Sequence, residues 1–365
     1  MPHLIDLSEI KTAATRIAGT AIRTPLVRLD PARLRAAGFT STAEIYLKDE
    51  SAQPIGSFKL RGAYNMIAQL SPEQLRRGVI TYSSGNHAQG VAYAARALGS
   101  KAVIVMPSNA PRIKREATLA LGAEIVEVGP ASTERKLRAE QLAAAHGYTI
   151  IPPYDAPEII AGQATCGLEI LQQLPDADLI LSPVSGGGLL SGVATAIKLS
   201  TEVLTTEAAA VAARVDHPSQ SHRDGWGTSA SSKPQVWGCE PTLAADAHAS
   251  FTTRALVEWR GEETTRTLCD GLRTQSLGAL NFAHILHHVD GIVTVSEAEI
   301  RLATHLILAA TDIVAEPSGA ITLAAALFHA DDLPPAKKIV AIVSGGNLDP
   351  TLRTQLESEA LAISV

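Results

Sequence analysis

Three apolar runs of this chain end in small residues and hydrogen-bonding side chains. Val79-Ile80-Thr81-Tyr82 is followed by Ser83-Ser84-Gly85-Asn86-His87. Leu179-Ile180-Leu181-Ser182-Pro183-Val184 is followed by Ser185-Gly186-Gly187-Gly188-Leu189, and Ile339-Val340-Ala341-Ile342-Val343 by Ser344-Gly345-Gly346-Asn347. In α/β sheets ligands sit beyond the carboxyl ends of strands, so each is a candidate binding loop. A fourth stretch, Gly56-Ser57-Phe58-Lys59-Leu60-Arg61-Gly62-Ala63, sets a lysine between two apolar residues. Such a lysine either snorkels to solvent or is desolvated enough to form a Schiff base.

The glycine run after Val184 has the chemistry of an anion site. Glycines between a strand and a helix expose backbone N–H groups, and the helix dipole adds partial positive charge. No Gly-Lys-Ser/Thr follows, so it is not a nucleotide P-loop, and no acidic residue ends a strand about 20 residues on, as a dinucleotide fold requires. A tight turn without ligand is the plain alternative. His284, His287 and His288 lie at helical spacing without a carboxylate or cysteine to complete a zinc site, and they read as a polar helix face. Cys166, Cys239 and Cys269 are too far apart and too few for a disulfide framework, and Cys166 and Cys269 read as buried packing.

These segments need a scaffold. The β-branched runs alternate with Ala-rich helical stretches, which predicts a mostly parallel sheet covered on both faces. The chain has 365 residues, 46% hydrophobic and 19% charged, enough for a large core and about two domains. A net charge of −6, with no basic block, disfavours nucleic-acid or membrane-surface binding. The absence of a long apolar run or a signal-type N-terminus predicts a cytoplasmic protein. Residues 203–235 hold few large apolar side chains and are expected to form a polar surface insertion.

Taken in order, the motifs resemble the fold-type II pyridoxal-phosphate enzymes of the serine/threonine dehydratase and serine racemase family. The resemblance runs from Thr24-Pro25-Leu26 to Ser344-Gly345-Gly346-Asn347. It includes Ile160-Ala161-Gly162-Gln163, Asp270-Gly271-Leu272 and Glu316-Pro317-Ser318-Gly319-Ala320. It implies two doubly wound α/β domains with pyridoxal 5'-phosphate between them. The large one takes residues 1–76 and 156–365; the small, substrate-closing one takes 77–155. By the same resemblance Lys59 carries the cofactor and is the base at Cα, and Ser84 faces it from the opposite side. Phe58 packs on the ring and Asn86 bonds its hydroxyl. Ser185, Gly186, Gly187, Gly188 and Leu189 hold the phosphate, and Ser344 faces the ring nitrogen. Many relatives start the phosphate loop with glycine where this chain has Ser185. Ser83, Ser84, Gly85, Asn86 and His87 bind the substrate carboxylate, with Arg135 a further substrate contact.

The resemblance also implies a divalent cation, Mg²⁺, Mn²⁺ or Ca²⁺, held by Glu240, the Ala244 carbonyl and Asp246; oxygen-only ligands suit such ions. A homodimer is implied as well. About twenty residues follow Ser344, so a regulatory C-terminal domain is not expected, and Leu29–Arg33 does not match the nucleotide-contacting segment of animal racemases. The expected activity is dehydration and deamination of L-serine, L-threonine or a related 3-hydroxy amino acid. The alternatives are racemisation through Lys59 and Ser84, 3-hydroxyaspartate dehydration, and a protein of another class that is non-catalytic or binds a dinucleotide. Ser344 cannot offset a positive ring nitrogen as a carboxylate can, which favours prompt loss of a β-leaving group.

Overall fold

The computed structural model describes residues 3–83, 85–129, 132–215 and 233–363. Among the described residues, ten strands form two sheets. In the larger, β1 (Leu26–Arg28), β2 (Glu44–Asp49), β7 (Leu179–Pro183), β8 (Gln235–Pro241), β9 (Gly291–Val295) and β10 (Lys338–Val343) lie in the order β1-β2-β10-β7-β8-β9. All neighbours are parallel except β1 against β2. The smaller sheet, in the order β5-β4-β3-β6, is wholly parallel. Its strands are β3 (Val79–Tyr82), β4 (Ala102–Pro107), β5 (Glu124–Val128) and β6 (Thr149–Ile150).

The apolar runs are continuous because both faces of each strand are covered. Along β10, Ile339, Ala341 and Val343 enter one core layer with Leu306 and Ile321, while Val340 and Ile342 enter another with Leu190, Val193 and Ile285. Successive side chains of a strand point to opposite faces, so one uninterrupted run feeds two layers. In the small sheet Ile104 and Met106 face one layer, and Val103 and Val105 the other.

Two strands are not visible as apolar runs. The strand β2 reads Glu-Ile-Tyr-Leu-Lys-Asp, and Lys48 in it is 0% exposed because its ammonium meets Glu169 at 2.6 Å. The antiparallel strand β1 is three residues long. The expected insertion also begins differently. Residues 203–215 continue the helix Gly188–Val215, since Thr-Thr-Glu-Ala-Ala-Ala-Val-Ala-Ala-Arg-Val is rich in the best helix former. Residues 216–232 lie outside the described residues. Among the described residues, no helix is long and apolar enough to cross a membrane.

The expectation of a polar face for His284, His287 and His288 is corrected. His284 and His288 are buried, and only His287 of the three is exposed. The His284 ring bonds Thr195 Oγ1 at 3.0 Å and accepts from the backbone N–H of Ile5 at 3.4 Å. It thereby joins the N-terminal segment to two helices.

Candidate active site

The carboxyl ends of β3, β7 and β10 open into one cavity of about 420 Å³, within the size range of small-molecule sites. Phe58, Lys59, Ser83, Gly85, Asn86, His87, Arg135, Ser185 to Leu189 and Ser344 all line it. The structure therefore gathers segments more than 280 residues apart in sequence. Ser84 lies outside the described residues.

Lys59 is the first residue of the helix Lys59–Ile67. Its approach is pinned to the end of β10: the Phe58 N–H donates to Ser344 O at 3.1 Å and the Gly346 N–H to Gly56 O at 2.9 Å. The Lys59 amine donates to Pro153 O at 2.9 Å and sits 5.0 Å from the Phe58 ring centre. Burial lowers its pKa to about 8. The side chain keeps some accessible surface, and among the described residues no carboxylate is paired with the amine.

The glycine loop is shaped for close approach. Ser185 and Gly187 both have left-handed backbones, with φ of 57° and 96°. A Cβ on Gly186 would come within 2.4 Å of the Tyr154 ring. This explains a glycine preference at the Ser185 position: only glycine adopts such φ values without steric cost. The Gly187 N–H turns back to Val184 O at 3.1 Å. The Gly188 and Leu189 N–H groups begin the helix Gly188–Val215, where helix geometry gives them no acceptor. The loop is fixed from behind by Gly186 O, which accepts from Gly278 N at 3.1 Å and Asn281 Nδ2 at 2.9 Å.

Asn86 and His87 open the helix Asn86–Ala97 directly. His87 Nε2 lies 3.1 Å from Ile151 O. A carbonyl only accepts, so that nitrogen carries the proton. Burial, then the charge of Lys59, lowers the His87 pKa to about 3, so the ring is neutral. Ser344 Oγ donates to Ser318 O at 3.3 Å.

Sequence reasoning missed a cluster at the cavity wall. Lys114, 3% exposed, meets Asp270 at 2.7 Å and Glu316 at 3.0 Å. Asn86 Nδ2 donates to Glu316 at 2.5 Å, and Asn347 Nδ2 to Asn86 Oδ1 at 2.9 Å. Burial works against the Lys114 charge, but Glu316 and Asp270 outweigh it and raise its pKa. Burial raises Glu316, with Lys114 only partly offsetting it. Asp270 and Glu316 stand in recognisable motifs; Lys114, in Arg-Ile-Lys-Arg-Glu, sits in a run of charges that carries no motif.

Glu240, near the end of β8, and Asp246, the first residue of the helix Asp246–Thr253, are both buried. Ala244 closes the short turn between them. Glu240 accepts from Ala247 N at 3.1 Å and His248 N at 2.8 Å. Neither Asp246 carboxylate oxygen has a hydrogen-bond partner among the described residues. Burial raises the Asp246 pKa to about 7, and burial followed by the Asp246 charge raises Glu240. No group of three or more His, Cys, Asp or Glu side chains among the described residues is arranged to hold a metal.

Residues 17–345 match the model of the pyridoxal-phosphate dependent enzymes. The chain belongs to that family. The enzyme is 38% identical over 307 residues to an L-threo-3-hydroxyaspartate ammonia-lyase of Saccharomyces cerevisiae, covering 84% of each chain. It is 36% identical over 351 residues to a catabolic L-threonine dehydratase of Staphylococcus aureus, covering 96% of this chain and 91% of that protein. Among solved structures it resembles maize serine racemase, with a TM-score of 0.82, 32% identity and 99% of both chains covered. The parallel sheets and the cavity at their strand ends are those of a fold-type II pyridoxal-phosphate enzyme. The residues here fit the cofactor: an amine with a depressed pKa shares the cavity with a glycine cradle that a single Cβ would fill.

Proposed function

We propose that the enzyme is an ammonia-lyase converting L-serine, L-threonine or a related 3-hydroxy amino acid to a 2-oxo acid and ammonia. One observation carries this reading: the Lys59 amine, its pKa drawn down to about 8, shares the cavity with the neutral Ser344 hydroxyl at the end of β10. Bound pyridoxal phosphate supplies a carbonyl for Lys59 and a conjugated ring that withdraws electrons from the substrate Cα. Ser185, Gly186, Gly188 and Leu189 supply the phosphate N–H donors, while Gly187 shapes the turn. Phe58 would pack on the ring, Asn86 would hydrogen-bond its hydroxyl and Ser344 would stand at its nitrogen. The N-terminus of the helix Asn86–Ala97, with Ser83, Ser84, Gly85 and neutral His87, receives the substrate carboxylate. Lys59 would take the Cα proton and pass it on to the departing β-hydroxyl, which would leave as water; the released enamine would then take up a water to give oxo acid and ammonia. Loss of the β-hydroxyl needs no second base, whereas inversion needs Ser84 to return a proton from the other face.

Residues 77–155 would close over the substrate as the smaller of two domains, the remainder forming the larger; the separate four-stranded sheet supports that division. A divalent cation at Glu240, Ala244 O and Asp246 would satisfy the two buried Asp246 oxygens that otherwise lack partners. A homodimer is part of the same reading, and sedimentation velocity tests it. A substrate bearing a second carboxylate is favoured by Arg135, which lines the cavity and whose pKa is lowered by burial. A panel of L-serine, L-threonine and L-threo-3-hydroxyaspartate, assayed for oxo acid and for the D-enantiomer, tests the reading. Oxo acid should form faster with at least one of them; faster D-amino acid with all three replaces the lyase with a racemase.

A further inference from the structure

Lys114 differs from its helix neighbours. On the helix Arg112–Ala120, Arg112 pairs with Glu116 at 2.7 Å and Arg115 with Glu127 at 2.5 Å; Arg112, Glu116 and Glu127 are exposed and Arg115 is half-buried. Lys114 turns inward, and its partners Asp270 and Glu316 belong to segments packed on the other sheet. Its stem runs against Gly85: a Cβ there would meet Lys114 Cδ at 3.3 Å. Glu316 carries the link back, because its other oxygen accepts from Asn86, which Asn347 holds from its opposite end. Lys114, Gly85, Asn86, Asp270 and Glu316 all line the cavity. A buried ion pair adds little stability over apolar side chains of the same volume, and its best-attested use is to fix a register.

We propose that Lys114 is a positioning residue that latches the half of the molecule built on the four-stranded sheet to the half built on the six-stranded sheet. The latch sets Gly85 and Asn86 against the cavity wall. Opening the cleft would draw the ammonium away from both carboxylates, and closing it restores both contacts. The inference rests on the reading of this cavity as the active site.

Amide hydrogen exchange and steady-state kinetics of the holoenzyme test it. Lys114→Met should raise exchange about tenfold in residues 112–120 and 270–277 while the helix Leu7–Ile17 stays unchanged. It should lower kcat/KM at least about tenfold, mainly through KM. Lys114→Arg, which keeps the charge, should restore both to within about threefold of wild type. The double variant Lys114→Met/Glu316→Gln, which leaves Glu316 with no unmatched charge, should show the same raised exchange. Exchange and KM within about twofold of wild type in Lys114→Met would overturn the latch, as would raised exchange throughout the chain with KM unchanged. Should Lys114→Met not fold, Asp270→Asn removes one arm and is read by the same criteria. If the wild-type enzyme turns over none of the amino acids, the lyase reading fails while the exchange still decides the latch.

Discussion

Lys59 and Arg61 stand two residues apart and meet opposite electrostatic environments. Arg61 is 0% exposed and bonds both Glu50 and Glu169 at 2.7 Å, so its charge is held. Among the described residues Lys59 meets a carbonyl and an aromatic face, and burial lowers its pKa to about 8, so more of the amine is neutral than in an exposed lysine. Only a neutral amine attacks a carbonyl. Recombination of pyridoxal phosphate with cofactor-free enzyme should therefore speed up as pH rises through about 8, then level. A stopped-flow rate that stays flat from about pH 7 to 9 contradicts this. Linkage has the same sign: the cofactor-free fold binds fewer protons than the unfolded chain, so this group adds stability as pH rises from about 8 to 10.5. Ser185 carries the other residue-scale cost, a left-handed backbone at φ 57°. Replacing it with glycine should raise the unfolding free energy of the cofactor-free protein by about 1 kcal/mol, read by denaturant melts. A loss of stability would show that the serine side chain holds the loop.

At the scale of elements, β3, β7 and β10 were legible because each is a continuous apolar run feeding two layers. The strand β2 was not, since Lys48 and Asp49 look like surface residues until Glu169, far along the chain, is found beside Lys48. The Lys59, glycine and Ser344 motifs were legible because each is a contiguous run, two of them directly after an apolar strand, and the runs follow one another in the family's order. Lys114 was not, because its partners lie 156 and 202 residues further on. The buried face of His284 and His288 was missed for a like reason: the helix Gly188–Val215 and the N-terminal segment that cover it come from elsewhere in the chain. The turn from β8 into the helix Asp246–Thr253 buries both Glu240 and Asp246. If a cation shares that turn, it stabilises the fold by mass action, about 2.7 kcal/mol at a hundred times its dissociation constant. Exhaustive chelation should lower the melting temperature by several degrees, Mg²⁺ or Mn²⁺ should restore it, and Asp246→Asn should abolish the response. An unchanged melting temperature on chelation removes the cation from the account.

Across the whole molecule, the cavity exists because two parallel sheets turn strand ends toward each other. Asp155 fastens the segment that runs between them by accepting from the Ala279, Leu280 and Asn281 N–H groups at 3.0–3.2 Å, while Pro153 and Tyr154 beside it form the cavity wall. The arrangement places three lysines at that wall: Lys59, Lys114 and Lys136. They are not equivalent. Lys114 is held as an ammonium by two carboxylates, whereas the pKa of Lys59 is drawn down by burial alone. The central claim is that Lys59 carries the cofactor. Borohydride reduction of the holoenzyme, followed by peptide mass mapping, tests it most directly. The account predicts loss of the visible absorbance and one pyridoxyl adduct, on Lys59. An adduct on Lys114, Lys136 or any other lysine, with Lys59 unmodified, would contradict it.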